Sequence, residues 1–252
     1  MPDKKSLRNI RLEIEYNGAK YCGWQVQVNA KKKSIQEVIE KVLFKILNKK
    51  IRLIVSGRTD AGVHALAQVA NFHISSKISL NKLKLALNGL LPRDVKISEA
   101  EEVGPDFHSR FSSKGKLYRY TILNRTHSSP LMDGKVYFYP HPLKLSLMRE
   151  EAKALLGRHD FSSFRASLGK ERNPVKNIKS LEIIKNKDLI HIDIEADGFL
   201  YNMVRNIAGT LIQIGRGKLE KGHLKKVLLS RDRKLAGQTI PAHGLCLVKV
   251  GY

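Results

Sequence analysis

Two cysteines, Cys22 and Cys246, are all that the sequence offers for thiol chemistry, and no C-x-x-C pair occurs. That count excludes a disulfide framework and a cysteine zinc site, and both residues are expected to be buried thiols. Acidic residues are scarce too: 23 Asp and Glu stand against 46 Lys and Arg, a formal net charge of +23. A chain so short of negative charge meets a polyanion, and nucleic acid, the ribosome or an anionic membrane surface are the ordinary choices. Long apolar runs are missing, with no stretch of about 18 apolar residues to span a bilayer. The opening Met1-Pro2-Asp3-Lys4-Lys5 leads into an alternating pattern rather than an apolar signal segment, so a cytoplasmic chain with no membrane partner is expected. Neither G-x-x-x-x-G-K-[ST] nor G-x-G-x-x-G occurs, nor H-x-E with P-C-x-x-C. Their absence removes P-loop kinases, standard dinucleotide enzymes and zinc base deaminases.

What is present can build a core: 252 residues with 42% hydrophobic content suit one large or two medium domains. Residues 10–16 alternate apolar and polar with period two, as a strand with one buried face does. Ser34-Ile35-Gln36-Glu37 has the capping-box pattern, and Ile35, Val38, Ile39, Val42, Leu43, Ile46 and Leu47 follow at helical spacing. That helix should start at Ser34 and end near Asn48. Residues 51–55 and 67–74 read as strands flanking a polar loop at 56–64, residues 80–90 as a helix stopped by Pro92, and 95–103 as a fourth strand. The order β-α-β-β-α-β is ferredoxin-like.

A second unit begins after Pro105, with strands at 116–123 and 136–139 and a helix at 145–156 closed by Gly157. Residues 178–184 and 189–196 read as a hairpin, with Ile190, Ile192 and Ile194 on one face and His191, Asp193 and Glu195 on the other. A helix follows whose apolar stripe is Leu200, Met203, Val204, Ile207, Ala208, Leu211 and Ile212, leaving positions 202, 205, 206 and 209 on the opposite face. A short helix near 221–229 and a strand at 245–250 complete the pattern. The fold class expected is α+β: two tandem ferredoxin-like, RRM-like units with antiparallel sheets around a central cleft, divided as residues 1–105 and 106–252.

The loop Ser56-Gly57-Arg58-Thr59-Asp60-Ala61-Gly62-Val63-His64 sets a carboxylate, a guanidinium, a hydroxyl and an imidazole between two glycines. Read alone, it suits a tight turn with Asp60 bonded to its own backbone as well as it suits a functional loop. In so basic a chain, a carboxylate kept ionised by a neighbouring arginine points to chemistry at a sugar or base carbon.

These residues resemble the bacterial tRNA pseudouridine synthase A family. The match lies in residues 57–65 with Gln68-Val69, in Tyr16-Asn17-Gly18 with Gly23-Trp24-Gln25, and in Leu87-Asn88 with Leu91-Pro92. It continues through Asp106-Phe107-His108-Ser109-Arg110-Phe111-Ser112 with Tyr118-Arg119-Tyr120, through residues 159–166 and 198–207, and through Gly244-Leu245-Cys246-Leu247. The resemblance covers nearly the whole chain, and many ordered blocks are far more specific than one motif. Between Ser113 and Tyr118 it departs slightly, with Lys114-Gly115-Lys116-Leu117 where many relatives have arginines.

The resemblance implies isomerisation of uridine to pseudouridine on the 3′ side of the tRNA anticodon arm, with no cofactor and no metal. It implies Asp60 as nucleophile, Arg205 as the arginine keeping Asp60 ionised, and Tyr118 as the ring stacking on the flipped uracil. Arg58 would replace the flipped nucleotide or hold a phosphate, His64 would contact substrate, and Leu245 would floor the base pocket. Lys114, Lys116, Arg165, Lys170 and Arg172, near strand ends or loops, suit phosphate contacts. The implied partners are tRNA and a second copy of the chain. A non-catalytic RNA-binding protein of RRM-like fold would also explain the charge but would leave the Asp60 loop and Arg205 without a purpose. An RNA glycosidase would need an activated water that no residue identifies.

Overall fold

The alternating segment near the start of the chain is strand β1 (Arg8–Tyr16), in which Ile10, Leu12 and Ile14 are fully buried. The computed structural model describes residues 7–27, 31–166 and 173–252; Lys170 and Arg172 lie outside the described residues. The described residues contain five α-helices and ten strands, a mixed α and β architecture. No helix among them is long and apolar enough to cross a membrane. The chain divides into two units, residues 1–114 with 247–252 and residues 115–246.

In the first unit, helix α1 (Ile35–Leu47) starts where the capping box requires: the Ser34 hydroxyl accepts from the Glu37 amide at 3.1 Å. It stops at Asn48, which takes the left-handed conformation at φ 49°. Ile35, Ile39 and Leu43 bury fully on one side, each contributing about 1.5–3 kcal/mol. Strand β2 is only Ile54–Val55. The expected strand at 51–53 gives way because the Leu53 amide donates to the Glu40 carboxylate at 2.9 Å instead of to a neighbouring strand. Strand β3 (His64–Ile74), helix α2 (Leu80–Leu90) and strand β4 (Val95–Val103) follow. β1 pairs antiparallel with β3 and β4, and β2 pairs with β3, giving the order β4-β1-β3-β2. Residues 106–112, expected with the second unit, fold against the first. Asn9 Nδ2 donates to the Gly104 and Phe107 carbonyls, and Asn71 Oδ1 accepts from the Ser109 amide and hydroxyl at 2.9 and 2.8 Å. Strand β10 (Leu245–Gly251) lies beside β3, and the Tyr252 hydroxyl donates to the Ser109 carbonyl at 2.8 Å.

In the second unit β5 (Gly115–Leu123) pairs antiparallel with β9 (Leu189–Ala196), β9 with β8 (Val175–Asn186), and β8 with β7 (Gly157–Asp160). The two-residue strand β6 (Tyr137–Phe138) runs parallel to β5. Ile190, Ile192 and Ile194 are fully buried, as the alternation requires. Their opposite face carries cross-strand polar pairs: Arg119 grips Asp193 with two bonds of 2.8 and 2.7 Å, and the Thr121 hydroxyl meets His191 Nδ1 at 3.2 Å. Helix α3 (Leu145–Ala152) ends earlier than its pattern, in a 3-10 turn, and Gly157 opens β7 at φ 90° rather than closing the helix. Helices α4 (Met203–Gly215) and α5 (His223–Ser230) complete the unit. The face of α4 expected to be open is covered, since Asn206 and Gly209 are buried with the apolar stripe. Neither cysteine is fully buried, because Cys22 follows an exposed turn and Cys246 alternates outward on β10; both are half-buried and outside any disulfide.

Candidate active site

Loop 56–63 is fixed by side chains from elsewhere in the first unit. Ser56 Oγ donates to Gln68 Oε1 at 3.0 Å, and Gln68 Nε2 donates to the Gly57 carbonyl at 2.8 Å. The Thr59 hydroxyl lies 2.7 Å from the Tyr16 hydroxyl, and the Thr59 carbonyl accepts from the Trp24 amide at 3.0 Å. The Val63 amide donates to the Asp60 carbonyl at 3.2 Å, and Gly62 makes the turn at φ 81°. Ser56, Thr59 and Gln68 are buried, so these bonds form where water cannot replace them.

Two glycines let the chain after β1 approach this closely. A Cβ on Gly18 would lie 1.9 Å from the Val63 carbonyl oxygen. Gly23, at φ 101°, would put one 2.6 Å from the Thr59 carbonyl oxygen. With Thr59 and Val63 turned inward, Asp60 is half-buried and Arg58 is exposed. His64 is not in the loop but opens β3, where its Nδ1 accepts from the Gly18 amide at 3.1 Å. Lys114 is exposed just before β5.

In the second unit Tyr118 and Lys116 stand on β5, Arg205 on α4, and Leu245 at the start of β10 directly after the Ala242–Gly244 turn. Both α4 and that turn pack on β5. Tyr118 is 7% exposed and meets Phe199 edge to face at 5.0 Å between centroids. Arg205 is half-buried: its Nε donates to the Ile240 carbonyl at 2.7 Å and its Nη1 to Asn202 Oδ1 at 2.7 Å. Asn202 itself is left-handed, at φ 60°. The charge on Arg205 reaches the buried Tyr120 hydroxyl, whose acidity burial suppresses strongly, and that hydroxyl donates to the Pro241 carbonyl at 2.8 Å. Leu245 is buried and Lys116 half-buried. Arg165 is also half-buried, after the 3-10 turn Ser162–Phe164.

The segment holding Arg205 is itself fixed by a buried polar network. Asn206 Oδ1 accepts from Arg233 at 3.0 Å and from the Thr239 hydroxyl at 2.6 Å, while its Nδ2 donates to the Phe164 carbonyl at 2.7 Å. The Gly237 amide donates to the Thr210 hydroxyl at 2.8 Å, and a Cβ on Gly209 would lie 2.1 Å from the Gln238 carbonyl oxygen. The sequence pattern gives no role to Tyr16, Gln68, Asn202 or Asn206, although all four fall in quoted family blocks. Tyr16, Gln68 and Asn206 depend on partners distant in the chain, and Asn202 on a left-handed backbone that turns its side chain to Arg205.

A basic chain, a half-buried carboxylate on a rigid glycine turn, and a half-buried arginine held by the Ile240 carbonyl and the Asn202 side chain define a candidate RNA-modifying enzyme. The family described as tRNA pseudouridine synthase matches residues 13–112 and 152–252, and the chain belongs to that family. It is 44% identical over 246 residues to the tRNA pseudouridine synthase A of Thermoanaerobacter sp. (strain X514), covering 98% of this chain and 100% of that protein. The protein of the same name from Clostridium acetobutylicum is also 44% identical over 246 residues, with the same coverage. That from Ruminiclostridium cellulolyticum is 45% identical over 247 residues, again 98% of this chain and 100% of the relative. The chain is therefore an enzyme of the pseudouridine synthase class.

Proposed function

We propose that this protein converts uridine to pseudouridine in the anticodon stem-loop of tRNA, in the cytoplasm, as a homodimer and without a cofactor. The N1–C1′ bond breaks, the uracil turns, and a C5–C1′ bond forms. The proton lost from C5 is balanced by the one that N1 carries at the end, so no oxidant or reductant enters. Asp60 is the nucleophile, Arg205 keeps it ionised, and Tyr118 stacks on the extruded base. Arg58 fills the space that the base leaves, and Leu245 forms the pocket floor. His64 supports the substrate side of the loop, while Lys114, Lys116 and Arg165 meet phosphates. In this reading each unit is a ferredoxin-like module, the first carrying Asp60 and the second carrying Tyr118 and Arg205.

The observation that carries the reading is the Asp60 turn. Thr59 and Gln68 are buried and bonded, Gly18 and Gly23 admit a close backbone contact, and on this fixed frame Arg58 is exposed and Asp60 half-buried. A loop serving only to reverse the chain needs no such support. The net charge of +23 supplies the attraction to a polyanion. The test is incubation of the purified protein with unmodified tRNA transcripts, followed by mapping of pseudouridine. Conversion confined to the anticodon arm is expected. Tight binding with no product in several tRNAs that carry uridine there would make it an RNA-binding protein instead.

A further inference from the structure

A cavity of about 460 Å³ in the second unit lies apart from the residues assigned above. Its size falls within the range of small-ligand sites. Tyr137 and Tyr139 form one wall, and Ile212 and Gln213 of α4 form another. Gln238 and Ile240 close it, held against the helix because Gly209 has no Cβ to push them away.

Three observations give the cavity a chemistry. Tyr139 is 7% exposed, and its hydroxyl is buried with no hydrogen-bond partner among the described residues. A buried hydroxyl without a partner is costly, so a polar occupant is favoured. Arg216 stands over the Tyr139 ring, 6.0 Å from its centroid, and Lys218 lies beside it; neither forms an ion pair among the described residues, and no acidic residue lines the cavity. Two cations without carboxylates at the rim of a pocket suit a phosphate. The Gln213 and Gln238 amides, each with donor and acceptor, match the edge of a base.

We propose that this cavity is a second nucleotide pocket, which takes a nucleotide of the RNA substrate other than the uridine that reacts, with its phosphate at Arg216 and Lys218 and its base among Tyr137, Tyr139, Gln213 and Gln238. The proposal rests on the reading of the protein as a tRNA-modifying enzyme. Arg205, Gly209, Gln213 and Arg216 succeed one another along one face of α4 and its C-cap. By helical rise Arg216 lies about 16 Å from Arg205. A pocket at that distance suits a residue a few nucleotides from the target, and thus a contribution to the choice of uridine.

The test uses adenosine 5′-monophosphate, which cannot react, and the full-length protein. Backbone amide NMR should show saturable shifts at Gln213, Arg216 and Gln238, and Arg216→Gln should weaken this binding about tenfold, with Arg216→Lys recovering much of it. In parallel, Arg216→Gln and Gln213→Ala should raise KM for tRNA transcripts severalfold and broaden the set of uridines modified. Shifts confined to other residues, with KM and site selection unchanged in an active enzyme, would overturn the pocket and leave the enzymatic reading intact. A wild-type protein that makes no pseudouridine yet binds the nucleotide here would do the reverse. A changed sedimentation coefficient in Arg216→Gln, with nucleotide and tRNA affinity unaltered, would assign the cavity to a protein contact and also overturn the proposal.

Discussion

The hydroxyls of Tyr16 and Thr59 lie 2.7 Å apart in a buried position, so the last residue of the first strand holds the residue immediately before Asp60. Gln68 reaches the same cluster, with its amide nitrogen 3.4 Å from the Tyr16 hydroxyl. The carboxylate is thus carried on a turn with little freedom to move, as preorganised catalysis requires.

Tyr16→Phe leaves the Thr59 hydroxyl without this partner in a buried site, and a loss of about 1–2 kcal/mol in urea unfolding is expected. Turnover should fall more than KM rises, because the change acts on the position of Asp60. Gly23→Ala should be more damaging, since it adds a contact of 2.6 Å at a positive φ. Equal stability and kinetics in both variants would show that the loop does not need this support.

Asp60→Asn keeps the shape of the side chain and removes its charge. Loss of turnover by a factor of about 10⁴ or more is expected, with tRNA affinity in filter binding changed only modestly. The measurement is pseudouridine formed in a single turnover. A variant retaining a tenth of the wild-type rate would exclude Asp60 as nucleophile.

Asn206→Ala removes the acceptor shared by Arg233 and Thr239 and the donor to Phe164. Burial already disfavours the charged form of Arg233, so losing a partner there is costly. A destabilisation of about 2–3 kcal/mol is expected from thermal or urea unfolding. Activity measured well below the melting temperature should fall as well, because the Ile240 carbonyl that holds Arg205 loses its support.

Burial, assisted by the nearby Arg119 guanidinium and opposed by Asp193, holds the His191 imidazole below its ordinary value. The unfolded chain therefore takes up a proton at a higher pH than the folded one. His191 contributes stability that is complete above the unfolded value of about 6.5 and is lost as pH falls through the folded one. NMR titration of the ring should give a midpoint below that of a free histidine, and His191→Gln should flatten the decline in stability on that acid side. A midpoint at or above the free value would contradict the burial argument.

Much of the fold is legible because its causes are local. Ser34 and Glu37 announce α1, and Ile190, Ile192 and Ile194 announce the buried face of β9. Errors arise where a distant group overrides the pattern. The Glu40 carboxylate takes the Leu53 amide and shortens β2, and segment 237–240 covers the face of α4 that looks open on a helical wheel. The candidate site divides in the same way. The Asp60 loop stands out by residue type, and the family blocks draw attention to Arg205. Gln68 holding Gly57, or Ile240 holding Arg205, is a contact between segments that no local pattern announces.

The last strand belongs to the unit that begins the chain: Leu247–Tyr252 group with residues 1–114, and Gly251 accepts the Lys114 amide at 2.8 Å. On the ribosome, the Asp60 module therefore waits for β10 while all of residues 115–246 are made, roughly 7–26 s at ordinary translation rates. The second unit has its whole sequence in hand first, so the Asp60 module can be completed only after the second unit has been made.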